Sequence, residues 1–308
     1  MASPYPTGPR VMAGAGAALA GLYFGAALPG SLMGRGYPIA AWTMVAVTVP
    51  FVAFLAAMAL FPGPLQRVLE RSTRLDLTDA GHGAAAIVMA ATLFFVLGYG
   101  ALVNGAYAYE SEVVRHDEPT PIDGNALFVG LTLNLIVLIL PPLFYLGFVG
   151  AGSEGGPIRA LGLRAEGAPR ALAWGAGSAV VVVLLIALAS AAISGLDVEL
   201  PDNTRALEIA RSITVLGAIG LAVGSAVSEE IFFRGFLQPR VGYWGQAILF
   251  SLAHLSYVNV LEVVVTFALA LLFGALYKRT GSLLAPIAGH FTFNLLMLLA
   301  GIFAPQNA

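Results

Sequence analysis

Stretches of about twenty uncharged, apolar residues recur along this chain, and they restrict its fold more than any other feature. A helix of that length crosses the ~30 Å hydrocarbon core of a bilayer while satisfying its own backbone hydrogen bonds. The stretches predict spans near residues 11–30, 38–61, 83–103, 126–150, 171–194, 208–237, 243–258, 262–277 and 282–303. Charged residues make up 10% of the chain, against roughly 25% in a soluble domain, and the mean hydropathy is +0.86. The expected fold class is all-α, a polytopic transmembrane helical bundle of about 8–9 spans.

Breaker residues fall between the spans, as in PGP at 62–64, GSEGGP at 152–157 and Pro201. No heptad, fixed-period repeat or low-complexity tail interrupts them. Gly21-x-x-x-Gly25 suits close helix contact and needs no other role. A net charge of −2 without a basic stripe argues against a nucleic-acid partner. The absence of Cys excludes disulfides, thiolate metal sites and a cysteine nucleophile. Val11 to Gly34 is longer than a signal-peptide core and follows only Arg10, so a retained first span is expected.

With the N-terminus in the cytoplasm, inner segments hold Arg10, Arg67, Arg71, Arg74, Arg159, Arg164, Arg170, Arg240, Lys278 and Arg279. Outer ones hold only Arg35, Arg115 and Arg205, and carry Glu110, Glu112, Asp117, Glu118, Asp123, Asp197, Glu199 and Asp202. This basic asymmetry sets the expected orientation in the cell membrane.

Ionisable groups within spans cost roughly 2.5–3.5 kcal/mol each at a helix centre and therefore mark function. Between residues 212 and 304 they are Glu229, Glu230, Arg234, His254 and His290, joined by the amide of Asn294. Glu262 sits at a predicted helix end, where a solvated interfacial setting suffices, and His82 and His116 fall in loops as surface residues. Glu230 and Arg234 are spaced to pair along one helix, either simply neutralising each other or supporting a site. Glu229 is turned about 100° away and has Phe233, not a base, four residues on. It needs a partner from another helix, since an isolated buried carboxylate would protonate.

Depth supplies candidates. Counting from the helix ends near Pro239, Gly242 and Gly281 places Glu229, His254 and His290 roughly 15, 18 and 14 Å into the membrane from one side. Asn294 shares a helix face with His290. Either histidine alone would be an ordinary core residue; the set at one depth suggests a polar cavity. A carboxylate beside an imidazole can take a proton from water and deliver it to a leaving group. A second imidazole and an amide can donate to a developing oxyanion. Hydrolysis of a peptide or ester fits, without a serine nucleophile; Ser251, in an apolar helix, is expected to bond a carbonyl. Glu229, His254 and His290 could equally hold a divalent metal such as zinc with a water in the fourth position. Spacing leaves the cofactor, none or a metal, open.

Three motifs carry a family resemblance. Glu229-Glu230-Ile231-Phe232-Phe233-Arg234 fits E-E-x-x-x-R, Phe250 to His254 fits F-x-x-x-H, and His290 to Asn294 fits H-x-x-x-N/D. The chain resembles the CPBP family of CAAX prenyl proteases and bacteriocin-processing (Abi) proteins, over about residues 205–303. The resemblance implies an intramembrane protease with a conical catalytic cavity opening within the membrane. It makes Glu229 the base with His254 assisting, gives the oxyanion to His290 and Asn294, and leaves Glu230, Arg234 and Phe250 supporting. Both a metalloprotease and a metal-free glutamate mechanism are proposed for that family. The expected organisation is 1–165 as N-terminal helices (scaffold or substrate groove) and 166–304 as the core. The expected partners are the lipid bilayer and a membrane-associated protein or peptide substrate. The competing functions are a proton- or ion-coupled transporter using the same residues, disfavoured by the lack of inverted repeats, and a non-catalytic immunity or scaffold protein.

Overall fold

A computed structural model of the protein describes residues 4–69, 75–117, 124–149, 156–193, 204–257 and 259–304. Arg71, Arg74, Glu118, Asp123, Asp197, Glu199, Pro201, Asp202, most of the 152–157 connector and the expected span ends at 150, 194 and 258 lie outside these residues.

Every regular element among the described residues is helical. Among the described residues, eight helices are long and apolar enough to cross a membrane: α1 (Thr7–Gly34), α2 (Pro38–Leu60), α3 (Ala80–Val114), α4 (Leu127–Val149), α5 (Ala168–Ile193), α6 (Val215–Leu252), α7 (Val260–Thr280) and α8 (Leu284–Ile302). The protein is thus a multi-pass helical membrane protein.

Eight lies within the expected 8–9; the stretches expected near 208–237 and 243–258 form one element, Val215–Leu252, broken at Gly242. Gly242 has φ 80° and ψ 173°, a conformation that a side chain would resist. Beyond it the helix reaches only Leu252, about 15 Å and too short to cross. The chain must then reverse before Asn259, whose side chain accepts the Leu261 N–H at 2.9 Å and starts α7. That reversal takes up Ala253 and His254 in a turn and Leu255–Tyr257 in a 3₁₀ turn. The expected helix through residue 258, and with it a helical setting for His254, is therefore corrected.

The expected start at 208 shifts as well. A separate helix, Thr204–Ser212, ends before Thr214, whose hydroxyl caps α6 by accepting the Gly217 N–H at 3.1 Å. His82 is not in a loop: it occupies the first turn of α3, capped by Asp79. Its Nδ1 accepts the Asp76 N–H at 3.0 Å, and its Nε2 lies 3.2 Å from the Phe148 carbonyl. His116 is exposed, with φ 55°.

The chain divides into two compact units. One comprises Met1–Pro119, Leu140–Pro157 and Leu252–Val258. Its core gathers Met44, Phe94 and Val103 against Phe24, Phe51 and Tyr99, with Phe51 stacked on Phe94 at 4.5 Å. Glu110 is buried there, and its carboxylate accepts the N–H groups of Ile39 (3.2 Å) and Ala40 (3.1 Å). These are orphan donors at the start of α2, where a negative charge is favoured. Of the Gly21-x-x-x-Gly25 pair, only Gly25 lies against a neighbouring helix, facing Thr48.

The other unit comprises Thr120–Ile139, Ile158–Ser251 and Asn259–Ala308, and so contains α5, α7, α8 and nearly all of α6. Three side chains of α6 bind carbonyls of α7: Gln246 to Ala270 (3.1 Å), Tyr243 to Leu271 (2.8 Å) and Gln238 to Gly274 (3.1 Å). Both amides flank the Gly242 bend and hold the two arms of α6 against one neighbour. Ala171, Leu269, Phe273, Leu276 and Ala285 form the apolar core between α5, α7 and α8. Gly281, at φ 65°, ends α7 with Lys278 and Arg279 in its last turn.

Candidate active site

The candidate site lies on the facing sides of α6 and α8. Immediately after Glu230, α6 widens into a π-helical stretch, Ile231–Leu237, a local distortion that often accompanies functional sites. Glu230 and Arg234 still meet at 2.7 Å as expected, and both side chains are completely buried. The guanidinium lies 4.3 Å from the centre of the Phe250 ring and 5.6 Å from that of Phe273. These aromatic faces surround Arg234, whose Nε and Nη2 have no hydrogen-bond partner among the described residues.

The Glu230 oxygen that holds Arg234 also lies 2.8 Å from His290 Nδ1. That oxygen already accepts from Arg234, so Nδ1 carries the hydrogen and donates to it. The imidazole is stacked on Phe273 (5.6 Å, 20°) and meets the edge of Phe250 (6.0 Å, 76°). Its ring is thereby oriented, and Nε2 is turned toward Glu229, 4.0 Å from Oε2. That carboxylate oxygen has no hydrogen-bond partner among the described residues. The Glu229 side chain is 15% exposed whereas that of Glu230 is 0% exposed.

One turn away, Asn294 Nδ2 donates to Ser225 Oγ at 3.0 Å. Moving from Ser225 to Glu229 up α6 is matched by moving from Asn294 to His290 down α8. The helices are antiparallel, and they present two polar rungs one turn apart.

The structure therefore brings Glu229, Glu230, Arg234, Phe250, His290 and Asn294 together within one unit. His254 belongs to the other unit, where its ring stacks on Tyr257 at 6.0 Å. Ser251 bonds a carbonyl, but that of Val263 on α7 (2.6 Å) and not one of its own helix. Among the described residues no group of three or more His, Asp or Glu side chains is set to hold a metal ion, and His290 Nδ1 is already bound to Glu230.

Ser225 and Phe273 belong to the site and are not in the expected set. Ser225 stands four residues before Glu229, a helical spacing that could have drawn attention to it; Phe273 has no such signal. Gly175 and Gly289 were overlooked as well. They let α5 and α8 touch backbone to backbone, beside His290.

Residues 211–296 match the family described as Type II CAAX prenyl endopeptidase Rce1-like, a family of CAAX proteases. A curated relative is the uncharacterized protein YpbD of Bacillus subtilis (strain 168), 35% identical over 83 residues. The match covers 26% of this chain and 40% of that protein, so the chain spans less than half the length of the relative. No solved structure matches the chain. The three motifs thus lie within a segment, residues 211–296, that is similar to the Rce1-like family.

Proposed function

We propose that the protein is an intramembrane endopeptidase of the CAAX type, cleaving a peptide bond in a membrane-associated protein or peptide in the cell membrane. The observation that carries this reading is the unpartnered Glu229 oxygen facing His290 Nε2 across 4.0 Å, with the imidazole held from behind by Glu230 and Arg234. A separation beyond hydrogen-bond length between two polar groups is suited to a bridging water.

In this mechanism Glu229 removes a proton from that water as its oxygen attacks the scissile carbonyl carbon. The carbonyl oxygen becomes an oxyanion, stabilised by the Asn294 amide and by an Nε2–H of His290 in its doubly protonated form. Glu229 then returns the proton to the amide nitrogen as the C–N bond breaks, yielding a carboxylic acid and an amine. Glu230 and Arg234 orient His290 and make no contact with substrate. The resemblance gives His254 an assisting role, which the His254→Ala strain tests. The N-terminus lies in the cytoplasm, from the basic asymmetry of the connecting segments.

The test is a comparison of membrane-protein termini between wild-type and Glu229→Gln strains. At least one terminus should remain unprocessed in the variant, and the same terminus in His254→Ala. Identical termini in wild type and Glu229→Gln would refute the hydrolytic reading.

A further inference from the structure

We infer that Ser225 is a positioning residue that fixes the amide of Asn294 for the reaction. The inference rests on the hydrolytic reading above and adds a residue outside all three motifs.

Its basis is the direction of two hydrogen bonds. The Ser225 hydroxyl lies 2.8 Å from the Leu221 carbonyl, an acceptor that can only receive the hydroxyl hydrogen. With that hydrogen committed, Ser225 Oγ is left as an acceptor. Asn294 must therefore present its NH₂ group, not its carbonyl oxygen, and does so at 3.0 Å. One N–H of the amide is tied to Ser225, which sets the amide plane. The second N–H remains for a substrate oxyanion.

Without the serine hydroxyl, the terminal torsion of Asn294 is broad and nearly two-fold. A flipped amide would offer a carbonyl oxygen to the oxyanion, which repels it. Ser225 is not itself a nucleophile in this arrangement. Its hydrogen is held by a carbonyl of its own helix, and its oxygen accepts from Asn294, so no base stands ready to activate it. It is also placed by the same geometry that places Glu229: both lie on one face of α6, one turn apart, against Asn294 and His290 on α8.

The experiment uses the full chain in detergent and, as substrate, the membrane protein whose terminus changes in the Glu229→Gln strain. Ser225→Ala should lower kcat roughly tenfold while leaving KM unchanged, the signature of lost transition-state positioning. Ser225→Thr keeps a hydroxyl that bonds the same carbonyl and should restore kcat. Adding Ser225→Ala to Asn294→Ala should cause no further loss, because the serine acts only through the amide. Wild-type kcat in Ser225→Ala, failure of Ser225→Thr to rescue, or additive losses in the double variant would overturn the positioning role while leaving the peptidase reading intact. Wild-type turnover by Asn294→Ala would overturn both this role and the assignment of the amide. If no terminus changes in the Glu229→Gln strain, the hydrolytic reading fails and this role with it.

Discussion

Gly175 offers a test of how tightly the candidate site depends on helix packing. A Cβ built on Gly175 would stand well inside 3.0 Å of the Ala285 carbonyl oxygen, 2.9 Å from Gly289 N and 3.0 Å from Ala285 C. All three are backbone atoms of α8, so no side chain can swing aside. Gly175→Ala must therefore force α5 and α8 apart by about 1 Å, and overpacking of this kind costs about 1–3 kcal/mol. Gly177, two residues along the same helix, has nothing within 4 Å of a built Cβ. There the same substitution meets no obstacle and gains up to about 1 kcal/mol of helix propensity.

The two substitutions should thus differ in sign. In detergent, Gly175→Ala should lower the thermal midpoint by several degrees, and Gly177→Ala should leave it unchanged or raise it. Function should separate them further. Gly289 precedes His290, and a displacement of about 1 Å at a reacting group can cost as much as 100-fold in rate. Processing of the natural substrate should fall sharply in Gly175→Ala and persist in Gly177→Ala. Wild-type melting and wild-type processing in Gly175→Ala would refute the claim that backbone contact between α5 and α8 sets the position of His290.

Other outcomes follow from the same geometry. Glu230→Gln leaves Arg234 buried without its counter-charge and should destabilise the protein by about 3–5 kcal/mol in thermal unfolding, whereas replacing both by apolar side chains of similar size should recover stability without activity. Phe273→Leu removes the ring stacked on His290 and near Arg234; kcat measurements should show a loss even if the fold survives. Away from the membrane, the Arg115 guanidinium, helped by the Tyr37 and Ser111 hydroxyls, holds the Asp117 carboxyl below the usual carboxylate range. Its contribution is therefore complete above about pH 3.9 and is lost as pH falls through the depressed value. The difference in melting between wild type and Asp117→Asn should vanish in strong acid, and an unchanged difference there would count against the tie. Because the chain has no Cys, a single cysteine introduced near Arg10 should be shielded from an impermeant thiol reagent in intact cells; labelling of that variant would reverse the proposed N-terminal orientation.

Hydropathy reveals the spans because a lipid environment penalises every interruption, and the i,i+4 spacing of Glu230 and Arg234 is enough to pair them. Depth counting brings Glu229 and His290 to one level because rise per residue is constant. It says nothing of azimuth, and azimuth decides that His290 faces both carboxylates at once. The helix end at Leu252 escaped for a different reason. Phe250 to Tyr257 is apolar enough to continue a span, and only the need to reverse before Asn259 stops it. Phe273, Gly175 and Gly289 were silent because an aromatic ring or a glycine in a greasy helix carries no pattern until another helix lies against it.

The adjacency of Glu229 and Glu230 then has a physical rationale. Two carboxylates side by side in an apolar helix would ordinarily suppress each other's ionisation, but a 100° turn sends them to different surroundings. Glu230 is completely buried and bound by Arg234 and His290. Its Oε1, held by Arg234, serves as a fixed acceptor that chooses which imidazole nitrogen carries a hydrogen. The Glu229 side chain is 15% exposed, and neither of its oxygens is tied to an arginine among the described residues. A group meant to accept and release a proton must keep that freedom, and a group meant to orient another must not. In the proposed reaction Glu230 holds the imidazole and Glu229 moves the proton, and exchanging their side-chain environments would abolish both roles.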